Sequence, residues 1–409
     1  MKKIIITIIL MFSFITNIKA IEIKSSNMVL YNLNENVIID ELNKDKKISI
    51  ASMTKIMTVL VAIENISDIN EKIILTKDIF EDLISLNASV AGFYAGEEVA
   101  YIDLLYGAFL PSGADATKAL AINISGSEEN FVKLMNKKAM KLNLKNTNFV
   151  NTSGLDNVNH YSSVDDVAII LKYALSNPIF KKIFLADNYT TTDKYLKMYS
   201  TLDKTMNNYK IKADYIIGGK TGYTIDAGRC LASVAYDKHN NVYYLLVTAN
   251  APTETNYSHL LDAKNIYEYY FKNYSYYNII NVNDVLITLD TKYAKENKLE
   301  IKATDTFLKY LPNNFDKSKV RLEYEGINVI KYSTKLGTKL GNIIVTYDNE
   351  LLGNIDIVLN DKLHFSLIDF LTINWVTITL ILIIIYIIVK FKILKKHKRL
   401  YKNKKCNKK

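Results

Sequence analysis

Residues 371–389, LTINWVTITLILIIIYIIV, run for 19 positions without a charged side chain. At 1.5 Å per residue a helix of that length spans roughly 28 Å, close to the hydrocarbon thickness of a bilayer. Trp375 stands near one end and Tyr386 near the other, where interfacial aromatics belong. The run is too long, and its basic flank too dense, for the core helix of a globular unit. The remaining residues, 390–409, hold eleven Lys/Arg and no acid. The positive-inside rule makes that tail cytoplasmic, with contact to anionic lipid as its only further expected role.

The other end points the same way. Lys2 and Lys3 precede a nearly all-apolar stretch from Ile4 to Ile15, and Ala20 is a plausible cleavage residue. Met1–Ala20 therefore reads as an export signal. Ile18 stands where a small residue is preferred, so an uncleaved N-terminal anchor is the alternative. Either way the body of the chain lies outside the membrane, and both ends agree on one topology. The net charge of +10 is terminal. Without the eleven cations of the tail and Lys2, Lys3 and Lys19, residues 21–389 carry −4. A nucleic-acid surface needs cations spread over a folded face, and no nucleic-acid partner is expected. The two cysteines, Cys230 outside and Cys406 inside, cannot pair or build a thiolate metal site. Cys230 lies in an apolar run and reads as a buried small hydrophobe. The five histidines form no His-x-x-x-His pair, which argues against a zinc hydrolase. Neither metal nor cofactor is expected.

The body divides by pattern. Residues 22–48 alternate polar and apolar, with a turn at Asn34–Asn36 between two strands. From Met53 the apolar positions recur at helical spacing, and helices are expected at 101–110 and 129–143. Gly218 to Asn250 returns to strands, including a hairpin about Lys238–Asn241, and a helix from His259 to Phe271 closes the unit. Strand, helical block, strands and final helix predict an α/β (α+β) sandwich with an antiparallel sheet, over residues 21–275. From 278 to 360 short alternating segments such as VLITLD, VRLEYE and NIIVTYD predict a small all-β domain. The expected organisation is thus 1–20 signal, 21–275 catalytic, 278–360 β-rich, 371–389 transmembrane and 390–409 tail.

Three short motifs carry possible chemistry. Ser52-Met53-Thr54-Lys55 occurs once. On a helix i and i+3 share a face, so Lys55 reaches back to the Ser52 hydroxyl. A serine needs a base to become nucleophilic, and a buried lysine with a lowered pKa supplies one. Alone, the motif reads equally as a helix-capping Ser with a snorkelling Lys. Pro111-Ser112-Gly113-Ala114-Asp115 follows an apolar helix and alone reads as a turn. Gly218-Gly219-Lys220-Thr221-Gly222-Tyr223 lies at a sheet edge, where backbone N–H groups with Lys220 and Thr221 suit a carboxylate. It lacks the spacing of a phosphate loop.

In this order the three motifs resemble the penicillin-binding protein and serine β-lactamase superfamily. The neighbourhoods IASMTKIMT, DLLYGAFLPSG, LKNTNFVNTSGLD, YSSVDDVAII and GGKTGYTIDAG resemble the low-molecular-weight D-alanyl-D-alanine carboxypeptidases over about residues 25–275. The resemblance implies a β-lactamase/transpeptidase-like sandwich and the following roles. Ser52 is the nucleophile, Lys55 its general base, and Ser112 a proton relay to the leaving group. Lys220, Thr221, Gly222 and Tyr223 bind substrate, and the backbone N–H groups of Ser52 and Tyr223 form the oxyanion hole. Peptidoglycan stem peptides, β-lactam antibiotics and membrane lipid are the implied partners. Two departures stand out. Ala114 occupies the position that is usually Asn in the family. The stretch VTANAPTETN lacks the Arg that many members carry after the Lys-Thr-Gly strand. A serine β-lactamase, a D,D-transpeptidase or endopeptidase, and a non-catalytic wall-binding scaffold are the competing readings. The first of these lacks its usual Glu-x-x-Leu-Asn base motif here.

Overall fold

The computed structural model describes residues 21–406, and the expected export signal, Met1–Ala20, lies outside them. The chain divides into two compact units, with the break between Asn273 and Tyr274.

In the first unit, β1 (Asn27–Asn32) and β2 (Val37–Leu42) form the expected hairpin, its turn closed by Asn36 at φ +56°. A single 3-10 turn, Ala51–Met53, leads into α1 (Thr54–Asn65). The short hairpin strands β3 (Lys72–Ile74) and β4 (Glu98–Ala100) bracket a long surface segment. The helical block continues with α2 (Tyr101–Phe109), α3 (Ala114–Ser125), α4 (Glu128–Lys141), α5 (Val164–Ala174) and α6 (Pro178–Phe184). A second short hairpin, β5 (Asn188–Thr190) and β6 (Lys197–Tyr199), precedes α7 (Thr201–Asn208). Strands β7 (Ile216–Thr224), β8 (Gly228–Asp237) and β9 (Val242–Ala251) and helix α8 (Ser258–Asn273) complete the unit.

Local chemistry sets the helix ends. Ser127 and Ser163 accept the N–H of the residue three positions on, and Asn177 caps α6 ahead of Pro178 at its first turn. Gly126 ends α3 in the left-handed region at φ +81°. The strands assemble into one antiparallel sheet of order β2-β1-β9-β8-β7. Alternate residues serve its two faces. Val29, Ala232, Leu245 and Val247 join the core beneath the helical block. On the other face Tyr244 packs its ring on Tyr267 and Phe271 of α8. Thr54 through Ile63 of α1 are all buried, so this helix has no solvent face and lies inside the block.

The second unit contains β10 (Tyr274–Ile280), β11 (Val285–Lys292), β12 (Lys298–Lys302), β13 (Phe307–Pro312), β14 (Val320–Gly326), β15 (Val329–Lys331), β16 (Lys339–Tyr347) and β17 (Glu350–Val358). They form small sheets of order β10-β13, β12-β11-β15 and β14-β16-β17 around Ile280, Leu289, Ile330, Ile343 and Ile357. Helix α9 (Leu367–Cys406) follows. Its apolar part, Leu367–Lys398, is long enough to cross a membrane, and none of it is buried. The helix runs on beyond Val389 into the basic tail, because that tail contains neither Gly nor Pro to end it.

One buried carboxylate ties the segment just before the first strand of the unit to its last helix. Asp262 on α8 accepts the Lys24 N–H at 2.9 Å, the Ser25 N–H at 2.7 Å and the Ser25 hydroxyl at 2.6 Å. Hydrogen bonds to a charged acceptor are the stronger class, and removal orphans both buried donors of Ser25. Asp262→Ala should lower unfolding stability by about 3 kcal/mol in urea titration, whereas the exposed control Asp68→Ala should change it by less than about 0.5 kcal/mol.

Candidate active site

The site begins with the apolar character of α1, which carries Lys55 into the interior at 2% exposure. Its Nζ lies 3.1 Å from Ser52 Oγ and 2.7 Å from the carbonyl oxygen of Ser153. Burial pushes the Lys55 pKa down to about 7, against a smaller opposing pull from Asp115. Ser52 sits on the 3-10 turn, one residue after Ala51, which is held at φ +47°. A left-handed conformation at a residue with a side chain costs on the order of 1–3 kcal/mol and persists only where surrounding structure over-determines it.

β7 supplies the facing wall. Gly222 passes so close to the Ser52 turn that a Cβ there would lie 3.1 Å from Ala51 Cβ and 3.2 Å from Ser52 N. The glycine therefore sets how near the strand edge comes to Ser52. Lys220 is fully buried, and its Nζ donates to the Thr221 carbonyl at 3.0 Å. Burial lowers its pKa well below that of a free lysine, and the charge of Lys55 adds to the effect. Thr221 Oγ1 lies 2.8 Å from Thr201 Oγ1 at the start of α7. Tyr223 is half exposed, and its ring is covered by the Arg229 guanidinium at 4.4 Å.

The second motif, Pro111–Asp115, forms the bend between α2 and α3. Ser112 is buried at φ +67°, and its Oγ has no hydrogen-bond partner. Thus Ser52 and Lys55 are joined directly, while Ser112 is joined to neither lysine by a hydrogen bond. Ala114 lines the cavity with a methyl group. Its neighbour Asp115, to which the sequence assigned no role, turns inward and accepts the N–H groups of Ala91, Gly92, Phe93 and Ala116. Ala114 N–H donates to the Ser89 carbonyl at 2.7 Å. The surface segment between β3 and β4 is thereby fixed onto the bend, and Leu86, Asn87 and Ser89 become cavity wall.

The segment from Val150 to His160 closes the floor, and the motifs alone did not reveal its part. Ser153 contributes a carbonyl rather than a side chain to Lys55. Asp156 accepts the Thr224 hydroxyl at 2.6 Å and the Asp226 N–H at 3.2 Å, linking the floor to the end of β7. The Val150 N–H donates to His160 Nδ1. That assigns the ring proton to Nε2, which donates to Thr54 Oγ1 at 2.8 Å. Burial holds the His160 pKa down at about 4, so the ring is neutral near pH 7. Together these segments enclose a cavity of about 660 Å³ with Ser52 and Lys55 in its wall. Cys230 is buried, and burial pushes its thiol up to about 12, which removes it as a nucleophile at neutral pH. Among the described residues no group of three or more His, Cys, Asp or Glu side chains could hold a metal ion.

Gly154 holds this floor in place. It takes φ +86°, and a Cβ on it would lie 1.9 Å from the Ala51 carbonyl oxygen. Gly154→Ala should push the floor away from the Ser52 turn, with a stability loss of about 2 kcal/mol or more by denaturant titration. The folded fraction should also acylate more slowly with a fluorescent penicillin.

Known proteins resemble the chain over most of its length. The family model described as D-alanyl-D-alanine carboxypeptidase, peptidase family S11, matches residues 15–253. The carboxypeptidase DacF of Bacillus subtilis is 29% identical over 341 residues, covering 80% of this chain and 81% of the relative. The carboxypeptidase DacA of Haemophilus influenzae is 29% identical over 355 residues, covering 83% and 86%. The solved structure of penicillin binding protein 5 from Haemophilus influenzae superposes with a TM-score of 0.64 at 26% identity, covering 84% of this chain and 98% of that one. With a buried lysine against a serine hydroxyl in its cleft, the chain belongs to the D-alanyl-D-alanine carboxypeptidase family of serine peptidases.

Proposed function

We propose that this membrane-anchored carboxypeptidase removes the terminal D-Ala from peptidoglycan stem peptides through an acyl-enzyme on Ser52. The observation that carries the reading is the buried Lys55 amine, 3.1 Å from Ser52 Oγ at the cavity wall. Neutral Lys55 takes the hydroxyl proton as Oγ attacks the carbonyl carbon of the penultimate residue. The backbone N–H groups of Ser52 and Tyr223 stabilise the oxyanion. The peptide C–N bond then breaks, and the leaving D-Ala nitrogen receives a proton through Ser112, supported by Lys220. A buried hydroxyl without an internal partner suits a relay that bonds only to bound substrate. Thr221 and the N–H groups near Gly222 receive the terminal carboxylate. Water hydrolyses the Ser52 ester and restores the hydroxyl. β-Lactams mimic the dipeptide and acylate the same oxygen.

The catalytic unit, residues 21–275, acts on the extracytoplasmic side. Met1–Ala20 exports it, residues 371–389 cross the bilayer once, and residues 390–409 stay in the cytoplasm. The density of cations on one flank of α9 supports that orientation.

The full chain in detergent should release D-Ala from a stem pentapeptide. Ser52→Ala should reduce that release at least about 10³-fold and abolish labelling by fluorescent penicillin. Retention of D-Ala release would overturn the mechanism. Because the base must be neutral and its pKa is depressed to about 7, acylation should be flat above pH 7. Below it, kcat/KM should fall about tenfold per pH unit. Lys55→Arg stays charged throughout, so it should be inactive at every pH at which the protein is folded.

A further inference from the structure

We infer that one end of the β-rich unit is a membrane-contact collar, in which aromatic rings enter the interface and lysines engage anionic phospholipid headgroups. The inference rests on reading α9 as the membrane anchor, and concerns a surface that catalysis does not use.

The geometry begins at the first turn of α9. Ser366 caps it by accepting the Asp369 N–H at 3.2 Å. No linker separates this cap from the β-rich unit. Phe365 forms a β-bridge with Ala294, the Ser366 N–H donates to the Tyr293 carbonyl at 3.1 Å, and the Lys295 N–H donates to the His364 carbonyl at 2.7 Å. Asp369 of the helix accepts the Tyr293 N–H in return. The turn Tyr293–Asn297 after β11 is thus fastened to the helix start. The turn after β15 joins it, because β11 and β15 are parallel, with Lys292 opposite Lys331, and the Tyr332 N–H donates to the Lys292 carbonyl.

The charge-free apolar run begins at Leu371, about 6 Å along the helix from Leu367. The polar layer outside the hydrocarbon is only about 5–8 Å deep on each side. Backbone fastened at Ser366 and Asp369, about 8 and 3 Å before that run, lies in that layer once the helix is inserted. The side chains suit it. Tyr332 packs on Phe365, Phe365 on Phe370, and Phe370 on Tyr293, at ring separations of 5.3, 6.1 and 5.4 Å. Tyr332, Phe365 and Phe370 remain about 40% exposed despite these contacts, as in an aromatic belt. Lys292 and Lys331 adjoin Tyr293 and Tyr332 in the chain, and Lys295 lies on the turn fastened to His364. Of the acids here, Asp369 is engaged by Tyr293 N–H, and Glu296 pairs with His364 at 2.7 Å. Each lysine near an anionic surface adds attraction that falls off within a Debye length.

The test uses the full chain with Cys406→Ser, leaving the buried Cys230 unreactive. An environment-sensitive fluorophore is placed on Ser333→Cys, beside the collar. A control label goes on Val282→Cys, before the opposite end of β11, roughly 25 Å away along the strand. Proteins are reconstituted into phosphatidylcholine vesicles with or without phosphatidylglycerol, carrying headgroup-level spin-labelled lipid. Quenching at position 333 should exceed that at 282 by at least about twofold, and more so with phosphatidylglycerol. The K292E/K295E/K331E variant, checked for folding by circular dichroism, should lose that lipid-charge dependence. Equal quenching at both positions, while lipid-quenched emission of Trp375 shows an inserted helix, would overturn the collar. Quenching at 333 that ignores lipid charge would overturn the role of the lysines. Trp375 in water would instead remove the anchor reading itself.

Discussion

An amine without a carboxylate partner, held two residues into a helix that has no solvent face, is the constraint around which the catalytic unit is built. Lys55 with a pKa near 7 when folded and near 10.5 when unfolded is costly. At pH 7 the folded state forgoes a protonation that the unfolded chain makes, a penalty on the order of 5 kcal/mol. The sign follows from proton counting. Between pH 7 and 10.5 the unfolded chain binds more protons, so this penalty shrinks as pH rises. Lys220 adds a term of the same sign. The ten consecutive buried residues of α1, packed between the sheet and the other helices, offset it. Hydrophobic burial thus supplies the free energy that holds the Lys55 pKa down.

The same economy governs the backbone. Two chain segments, distant in sequence, must approach one 3-10 turn. Gly222 brings β7 beside Ser52 N, Gly154 brings the floor against Ala51 O, and Ala51 itself is held left-handed. Side chains then fix the segments that lack regular structure. Asp115 binds the wall segment through three N–H groups, and Asp156 joins floor to strand. Such fixing converts irregular loops into surfaces with one geometry, which positioning of a reacting carbonyl requires.

Part of this was legible in the residues. Asn34–Asn36 and Lys238–Asn241 marked turns whose strands form as expected. The spacing of Ser52 and Lys55 implied a shared face, and they meet there. The rest acts through groups that residue identity does not advertise. Ser153 contributes its carbonyl, a group every residue has. His160 looked isolated because its partners, Val150 N–H and Thr54, are brought together by tertiary packing. Strands β10 and β13 were missed because the Tyr-rich segment 274–280 does not alternate, and its partner begins 27 residues after it ends. Non-local pairing leaves no mark on a local pattern.

Ala114 also changes meaning in this setting. A lysine ammonium has three N–H donors. Lys55 finds two acceptors, Ser52 Oγ and the Ser153 carbonyl. Ala114, in the same cavity wall, offers no third. The neutral amine can give one N–H to the Ser153 carbonyl and turn its lone pair toward the Ser52 hydroxyl. With a methyl group at position 114, no side-chain acceptor there offsets the lowering of the Lys55 pKa by burial, and the charge of Asp115 alone opposes it.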